Sequence, residues 1–247
     1  MNRERLIVVH HTDRFHLLIS TGDKIVSQGT VRWSESSGGL SAKNVWKHIS
    51  ASHPLLQKSY DRTTWVNTAT LAFMLSSTKL IDIDRLVGIE QALPRDRGQD
   101  IRIDRIGTRL RDLAYAFPSW YARLDDEAYE HSHLIACLTR YLDMHIAGTD
   151  KILLHRHGAQ METIYILRDK TWHRSNHVLN DAEATYFLHR DIKDMLYAGK
   201  GTDLYLSGKW NDVAVAELRD SLGGRSPQLQ TENSVDYHYQ QALILCA

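Results

Sequence analysis

The amino-acid sequence predicts an α/β fold of two lobes, each a mixed sheet of three meandering strands plus further strands flanked by helices. From Lys151 to Lys209 the order strand, strand, strand, helix, strand, helix can be read from alternation, turn residues and caps. The first half offers the same order of elements without sharing its letters. With 247 residues and 43% hydrophobic content, the chain can hold one large domain or two smaller ones, each with its own core.

In the first half, Arg5 to His10 is an apolar strand, and Phe15 to Ser20 pairs with it across the polar turn His11-Thr12-Asp13-Arg14. Ile25 to Trp33 follows after Gly22-Asp23. A Ser- and Gly-rich loop, Ser34 to Gly39, leads to a helix capped near Ser41 that carries Val45, Trp46 and Ile49 and ends before Pro54. Thr63 to Val66 is the next strand. Leu71 to Leu75 is apolar without a decisive period, and Ile83 to Leu93 reads as a short helix before the turn-rich Pro94 to Gln99. Ile101, Ile103 and Ile106 have strand spacing, as does Leu113 to Phe117, and Pro118 suits the first turn of a helix running toward Leu124. Leu134, Leu138, Tyr141 and Leu142 form a helical stripe that joins the halves.

In the second half, Ile152 to His155 and Met161 to Leu167 are strands, the latter apolar on both faces and so suited to the inside of a covered sheet. Thr171 to Val178 alternates Trp172, Arg174 and Asn176 against His173, Ser175 and His177, and this polarity predicts an edge strand. Asn180 and Glu183 have capping-box spacing, with Ala184, Phe187, Leu188, Ile192, Met195 and Leu196 recurring at helical intervals up to Gly199. Asp203 to Ser207 is a short strand ended by Gly208. Asn211 or Asp212 then caps a helix carrying Val215, Leu218 and Leu222, and Val235 to Cys246 is a last helix. The lobes are expected to span residues 1–128 and 129–247.

Thirty basic residues balance thirty acidic ones, so the electrostatic signature of a nucleic-acid binder is missing. Cys137 and Cys246 lie far apart without CxxC partners, which argues for reduced, buried thiols. Leu6 to Val9 is too short for a signal-peptide core, and no window approaches 18 uninterrupted apolar residues. The expectation is a cytoplasmic protein without membrane or nucleic-acid partners.

Two α/β units of this type resemble the plan of the actin, heat-shock ATPase and sugar-kinase superfamily, whose two domains flank a nucleotide cleft. More specifically, the chain resembles a bacterial family known as domain of unknown function 3822. The matching residues are an early helical His at His131 or His133, strands from Ile152 to Leu167, Asn176, the acidic and aromatic helix start Asp181 to Phe187, and Leu204-Tyr205-Leu206-Ser207-Gly208. In the first half the resemblance rests on layout and on Thr70-Leu71. It implies an actin-like (ribonuclease-H-like) fold with no established activity.

A nucleotide-hydrolysing member of the superfamily needs phosphate-binding turns after the first strand of each half, with Gly allowing close backbone approach and carboxylates positioning magnesium and water. Here those turns are His10-His11-Thr12-Asp13-Arg14, without Gly, and His155-Arg156-His157-Gly158-Ala159, with one Gly and no carboxylate. Where the superfamily has two adjacent glycines facing adenosine, Gly208 is followed by Lys209 and Trp210. The reading is therefore a non-catalytic protein with degenerate nucleotide loops and no cofactor. It would act on a protein partner or by self-association, through the cleft or an edge such as Thr171 to Val178. The alternative is a divergent nucleotide-dependent phosphotransferase or ATPase using ATP with magnesium, with Thr12, Asp13, His155, Gly158 and Gly208 around the phosphates.

Fourteen histidines raise a metal reading, since His155 and His157 share one side of a strand. With no HExxH and no carboxylate near His157, the favoured reading is solvated or core-edge histidines. No G-x-S-x-G, Walker A or dinucleotide fingerprint is present. Trp46, Trp65, Trp120, Trp172 and Trp210 are read first as core and second as interface.

Overall fold

Leu6–Val9 and Ile152–Leu154 are continuous apolar runs at nearly full burial, and each lies in the central strand of a five-stranded sheet. The structure, a computed structural model, describes residues 3–11, 14–32, 47, 49–68, 72–75, 87, 89, 91, 93, 99–106, 111–118, 129–167, 170–196, 202–222, 228–230 and 235–246. The chain forms two compact units, one comprising Met1–Ile106, Leu110–Cys137 and Leu243–Ala247, the other Gly107–Arg109 and Leu138–Ala242.

In the first unit the strands are β1 (Glu4–His10), β2 (Arg14–Thr21), β3 (Lys24–Arg32), β4 (Arg62–Asn67), β5 (Ala72–Leu75), β6 (Gln99–Ile106), β7 (Arg111–Pro118) and β8 (Tyr129–His133). The main sheet has the order β3-β2-β1-β4-β8. Strands β1, β2 and β3 meander antiparallel, whereas β1, β4 and β8 run parallel. Inserted between β4 and β8 in the chain is a second, antiparallel sheet of order β5-β7-β6. Alternate residues Leu6 and Val8, Phe15, Leu17 and Ile19, and Trp65 fill one face of the main sheet, together with Ile49 and Leu56.

In the second unit β9 (Lys151–His157), β10 (Gln160–Leu167), β11 (Lys170–His177), β12 (Asp203–Gly208) and β13 (Gln228–Gln230) repeat that plan as β11-β10-β9-β12-β13. The helices are α1 (Leu134–His145), α2 (Asp181–Leu196), α3 (Asp212–Leu222) and α4 (Val235–Cys246). Ile152, Leu154, Leu204 and Leu206 pack with Leu218 and Leu222 of α3, while Met161 packs with Val178 and Ala184 beside α2. Asn180 Oδ1 accepts from Glu183 N at 2.9 Å, and the Glu183 carboxylate accepts from Leu179 N at 2.8 Å, one residue before the expected partner. Of the two cap candidates for α3, Asn211 serves: its Oδ1 accepts from Ala214 N.

Three expectations change. Pro118 ends β7, paired with Gln99, where a missing N–H is tolerated at a strand terminus, and the residues from there toward Leu124 lie outside the described ones. His131 and His133 lie on β8 and precede α1; the segment Tyr-Glu-His-Ser-His has no aliphatic alternation to announce a strand, yet it pairs in parallel with Thr63–Asn67. The segments Leu113 to Phe117 and Ile101 to Ile106 are strands as expected, but of a sheet separate from the main one. The helix start near Ser41 with Val45 and Trp46, the segment Thr70-Leu71 and Trp120 lie outside the described residues.

Candidate functional site

Ligands of open α/β sheets bind beyond the carboxyl ends of the parallel strands, so those ends are where chemistry should be sought. In the first unit three such ends lie in register, His10 beside Asn67 and Asn67 beside His133, and all three residues are buried. His10 stacks on Phe15, with ring centroids 4.7 Å apart. Burial pushes its pKa down to about 3, which keeps the imidazole neutral. The Thr68 hydroxyl donates to the His10 carbonyl at 2.8 Å and lies 2.8 Å from His11 Nδ1. A hydroxyl has one proton, so His11 is assigned the tautomer protonated on Nδ1.

The inserted sheet closes over this row. Asn67 Nδ2 donates to the Ala116 carbonyl at 3.0 Å, and the Tyr115 ring tilts against His133 at 5.0 Å. Behind them Asp104 accepts from the Tyr115 hydroxyl at 2.7 Å and from Arg102 Nε at 2.8 Å. Burial first, and then the Asp104 carboxylate, pushes the Tyr115 pKa upward, so it remains a donor. His131 is pushed down to about 4, by burial and then by the Arg102 charge, with Asp104 opposing. His133 Nδ1 accepts from Ile135 N at 3.2 Å and so caps α1.

In the second unit His155 stands beside Ser207, with Nδ1 3.1 Å from Ser207 Oγ and the ring stacked on Tyr239 at 5.2 Å. Burial, then the neighbouring His157, lowers its pKa to about 3. Both Ser207 and His155 are sealed from solvent, and His155 Nε2 has no hydrogen-bond partner. A nucleophile–base pair needs a third group to orient the base and a path for substrate; this pair has neither among the described residues.

Gly208 has φ 86°, and a Cβ there would lie 2.1 Å from the Arg156 carbonyl oxygen and 3.0 Å from His155 Cε1. Lys209 N donates to that same carbonyl at 2.8 Å, and Trp210 Nε1 donates to Ser207 O at 2.9 Å. The end of β12 is thus folded back onto β9 and closed by its own chain. Gly158, at φ 58° in the two-residue turn between β9 and β10, has open space around its Cα.

The structure therefore brings His155 and Gly208 together, places Gly158 on the exposed turn three residues on, and leaves His157 half-buried beside it. Thr12 and Asp13 lie outside the described residues. Among the described residues no group of three or more His, Cys, Asp or Glu side chains could hold a metal ion, and no helix is long and apolar enough to cross a membrane. Asn67 and Thr68 were not singled out from sequence, and His133 and Ser207 entered only as residues carrying the family resemblance. The available signal was a polar residue ending each parallel strand, but its meaning depends on register between strands more than fifty residues apart.

No family model matches the chain, and no curated protein matches it in sequence. Solved structures do. A protein of unknown function with an actin-like ATPase fold from Bacteroides thetaiotaomicron superposes with TM-score 0.75 at 16% identity, covering 100% of this chain and 97% of that one. The PilM–PilN type IV pilus biogenesis complex gives 0.54 at 10% identity, covering 100% and 98%. The ethanolamine utilization protein EutJ from Carboxydothermus hydrogenoformans gives 0.51 at 10%, covering 98% and 89%. The paired sheets of matching strand order and these superpositions lead to one conclusion: the chain has the actin-like ATPase fold.

Proposed function

We propose that this protein works by binding, to a partner protein or to a second copy of itself, and that it does not turn over nucleotide. The observation that carries the reading is the chemistry of the strand ends. The last two residues of β1, β4, β8, β9, β12 and β13 are Val9-His10, Val66-Asn67, Ser132-His133, Arg156-His157, Ser207-Gly208 and Leu229-Gln230, and none is a carboxylate. Magnesium is a hard ion that takes oxygen ligands, with carboxylates as its usual protein donors, and imidazoles, amides and a sealed serine are poor substitutes. The Asn67 to Ala116 bond and the Gly208 turn support the reading, because the chain itself occupies both places.

One similar structure is of a two-protein complex, PilM–PilN, which fits a partner-binding role on this fold. The order of residues from His131 to Gly208 supports placing the chain in the domain of unknown function 3822 family, as a bacterial, cytoplasmic protein without a cofactor. The test is a thermal-shift and hydrolysis experiment with ATP, GTP and magnesium. Ligand at 100 times its dissociation constant would add about 2.7 kcal/mol of stability. The expected result at millimolar nucleotide is no shift and no phosphate release. Turnover that falls on Asp13→Asn or Thr12→Ala would overturn the proposal in favour of a phosphotransferase or ATPase.

A further inference from the structure

Strand β11 ends the sheet of the second unit, and among the described residues it pairs with β10 alone. Its ladder has unbroken register over all eight pairs, from Gln160 opposite His177 to Leu167 opposite Lys170. The phase of that ladder follows from one bond: Val178 N donates to the Ala159 carbonyl at 2.7 Å. In an antiparallel pair, alternate residues turn both backbone groups toward the partner, so Trp172, Arg174 and Asn176 bond inward to β10. The N–H and C=O groups of Thr171, His173, Ser175 and His177 then point away from the sheet. Thr171 is buried, but Ser175 and His177 are exposed and His173 is half-buried, leaving a stretch of open edge from His173 to His177.

The side chains on this stretch do not fold across it. Glu162 of β10 accepts from Ser175 Oγ at 3.0 Å and bonds His173 Nε2 at 2.7 Å, holding both flat against one face. On the other face Asn176 Oδ1 accepts from Arg190 at 2.9 Å, and Trp172 stands 49% exposed. Natural edge strands are usually blunted by shortness, a bulge, a proline or charged side chains, lysine above all. Strand β3, the corresponding edge of the first unit, pairs with β2 through a register shift between Ile19 and Ser20; β11 has neither bulge nor proline, and of its charged residues only Arg174 lies in the open stretch.

We propose that β11 receives, by strand addition, an extended acidic segment of a partner protein, whose backbone pairs with His173, Ser175 and His177 while an apolar side chain lies on Trp172. This rests on the partner-binding reading above and names its surface. Charge decides the occupant: β11 reads Lys-Thr-Trp-His-Arg-Ser-Asn-His, with Lys170, Arg174 and no acid. The β11 of a second copy would set cation against cation, and so would its β3, which carries Lys24 and Arg32 and no acid. Strand addition takes its affinity from the main chain and its specificity from alternate side chains, so an acidic alternating segment fits both.

The probe is an eight-residue peptide of alternating Glu and Val, followed by amide hydrogen exchange of the full chain in NMR. At millimolar peptide the amides of His173, Ser175 and His177 are expected to exchange at least tenfold more slowly, while those of Trp172 and Arg174, already bonded inward, change little. Ser175→Pro removes one outward backbone donor and the Oγ bond to Glu162 but no backbone bond to β10, and should abolish the effect. Should Ser175→Pro fail to fold, Arg174→Glu reverses the one charge on the open stretch and should weaken the effect severalfold. Equal slowing by a Lys and Val peptide, no slowing by the Glu and Val peptide, or slowing that needs only higher protein concentration would each overturn the proposal. Nucleotide turnover is read separately, so a failure of the non-catalytic reading is distinguishable from a failure at this edge.

Discussion

The two units share a strand order and differ in what meets the strand ends. In the first, an inserted sheet is fastened over His10, Asn67 and His133 by the Asn67 to Ala116 bond and by the Tyr115 ring against His133. In the second no further sheet is inserted among the described residues, and closure comes from the chain leaving β12, through Gly208 and Trp210. Central apolar strands and a three-strand meander are enough to specify the shared topology. The polar residues at the ends are free to diverge, and in both units they include no carboxylate. This is why architecture alone says little about function here.

The broadest way to test that symmetry is acid. His10 in one unit and His155 in the other are held near 3 when folded, against an unfolded value of 6.5. Between those values the unfolded chain binds more protons, so stability rises with pH, is complete above 6.5 and is lost as pH falls toward 3. Denaturant unfolding at a series of pH values is expected to show this loss. His10→Asn and His155→Asn should each flatten the profile in that window, and both together should flatten it further. If only one of the two matters, the units are not equivalent in this respect.

Two glycines then separate a closed end from an open one within the second unit. Gly208→Ala meets both a left-handed backbone and the Arg156 carbonyl at 2.1 Å, and should cost on the order of 4 kcal/mol. Gly158→Ala, with a similar φ but nothing within 4 Å, should cost about 1 kcal/mol. Melting both variants calorimetrically gives the ratio. Equal losses would mean that backbone strain, and not the closure of β12 onto β9, sets the requirement at 208.

These contrasts show how far the letters could be read. The meander of β9, β10 and β11, the cap at Asn180 and the helix Val235–Cys246 were legible because alternation, capping spacing and helical period are local properties. Strand β8 was not, because Tyr129–His133 owes its place to pairing with β4 and not to its own apolar content. Strand β13, three residues long, carries too little pattern to be read. Of the site, His155 and Gly208 were visible as a turn-forming glycine and a strand-ending histidine. Their meeting depends on a parallel pairing between residues some fifty positions apart, which no local pattern encodes.

A helix terminus offers the next comparison. At its start α1 is capped by His133; at its end the buried Lys151 ammonium donates to the carbonyls of Leu142 at 2.8 Å and Asp143 at 3.2 Å, and also to Ile146 O. A cation there satisfies orphan carbonyls and opposes the negative end of the helix dipole. Lys151→Met keeps the apolar stem and removes the donors, and should cost about 2 to 3 kcal/mol in denaturant unfolding. His133→Ala should cost about 1 kcal/mol. A reversed order would show that the cap at the start of α1, and not the lysine, anchors it.

One further substitution is the most selective. Tyr115→Phe removes one of the two donors to Asp104 and leaves Arg102 Nε in place, so the carboxylate, still nearly buried, loses a charge-assisted bond at about 1.5 kcal/mol. The bond lost lies between β6 and β7, inside the inserted sheet. Amides of β6 and β7 should therefore exchange faster, while those of β9, β10 and β12 keep their rates. If the second unit loosened by as much, the two would unfold as one cooperative body, and the separate closures described for their strand ends would not be energetically separate.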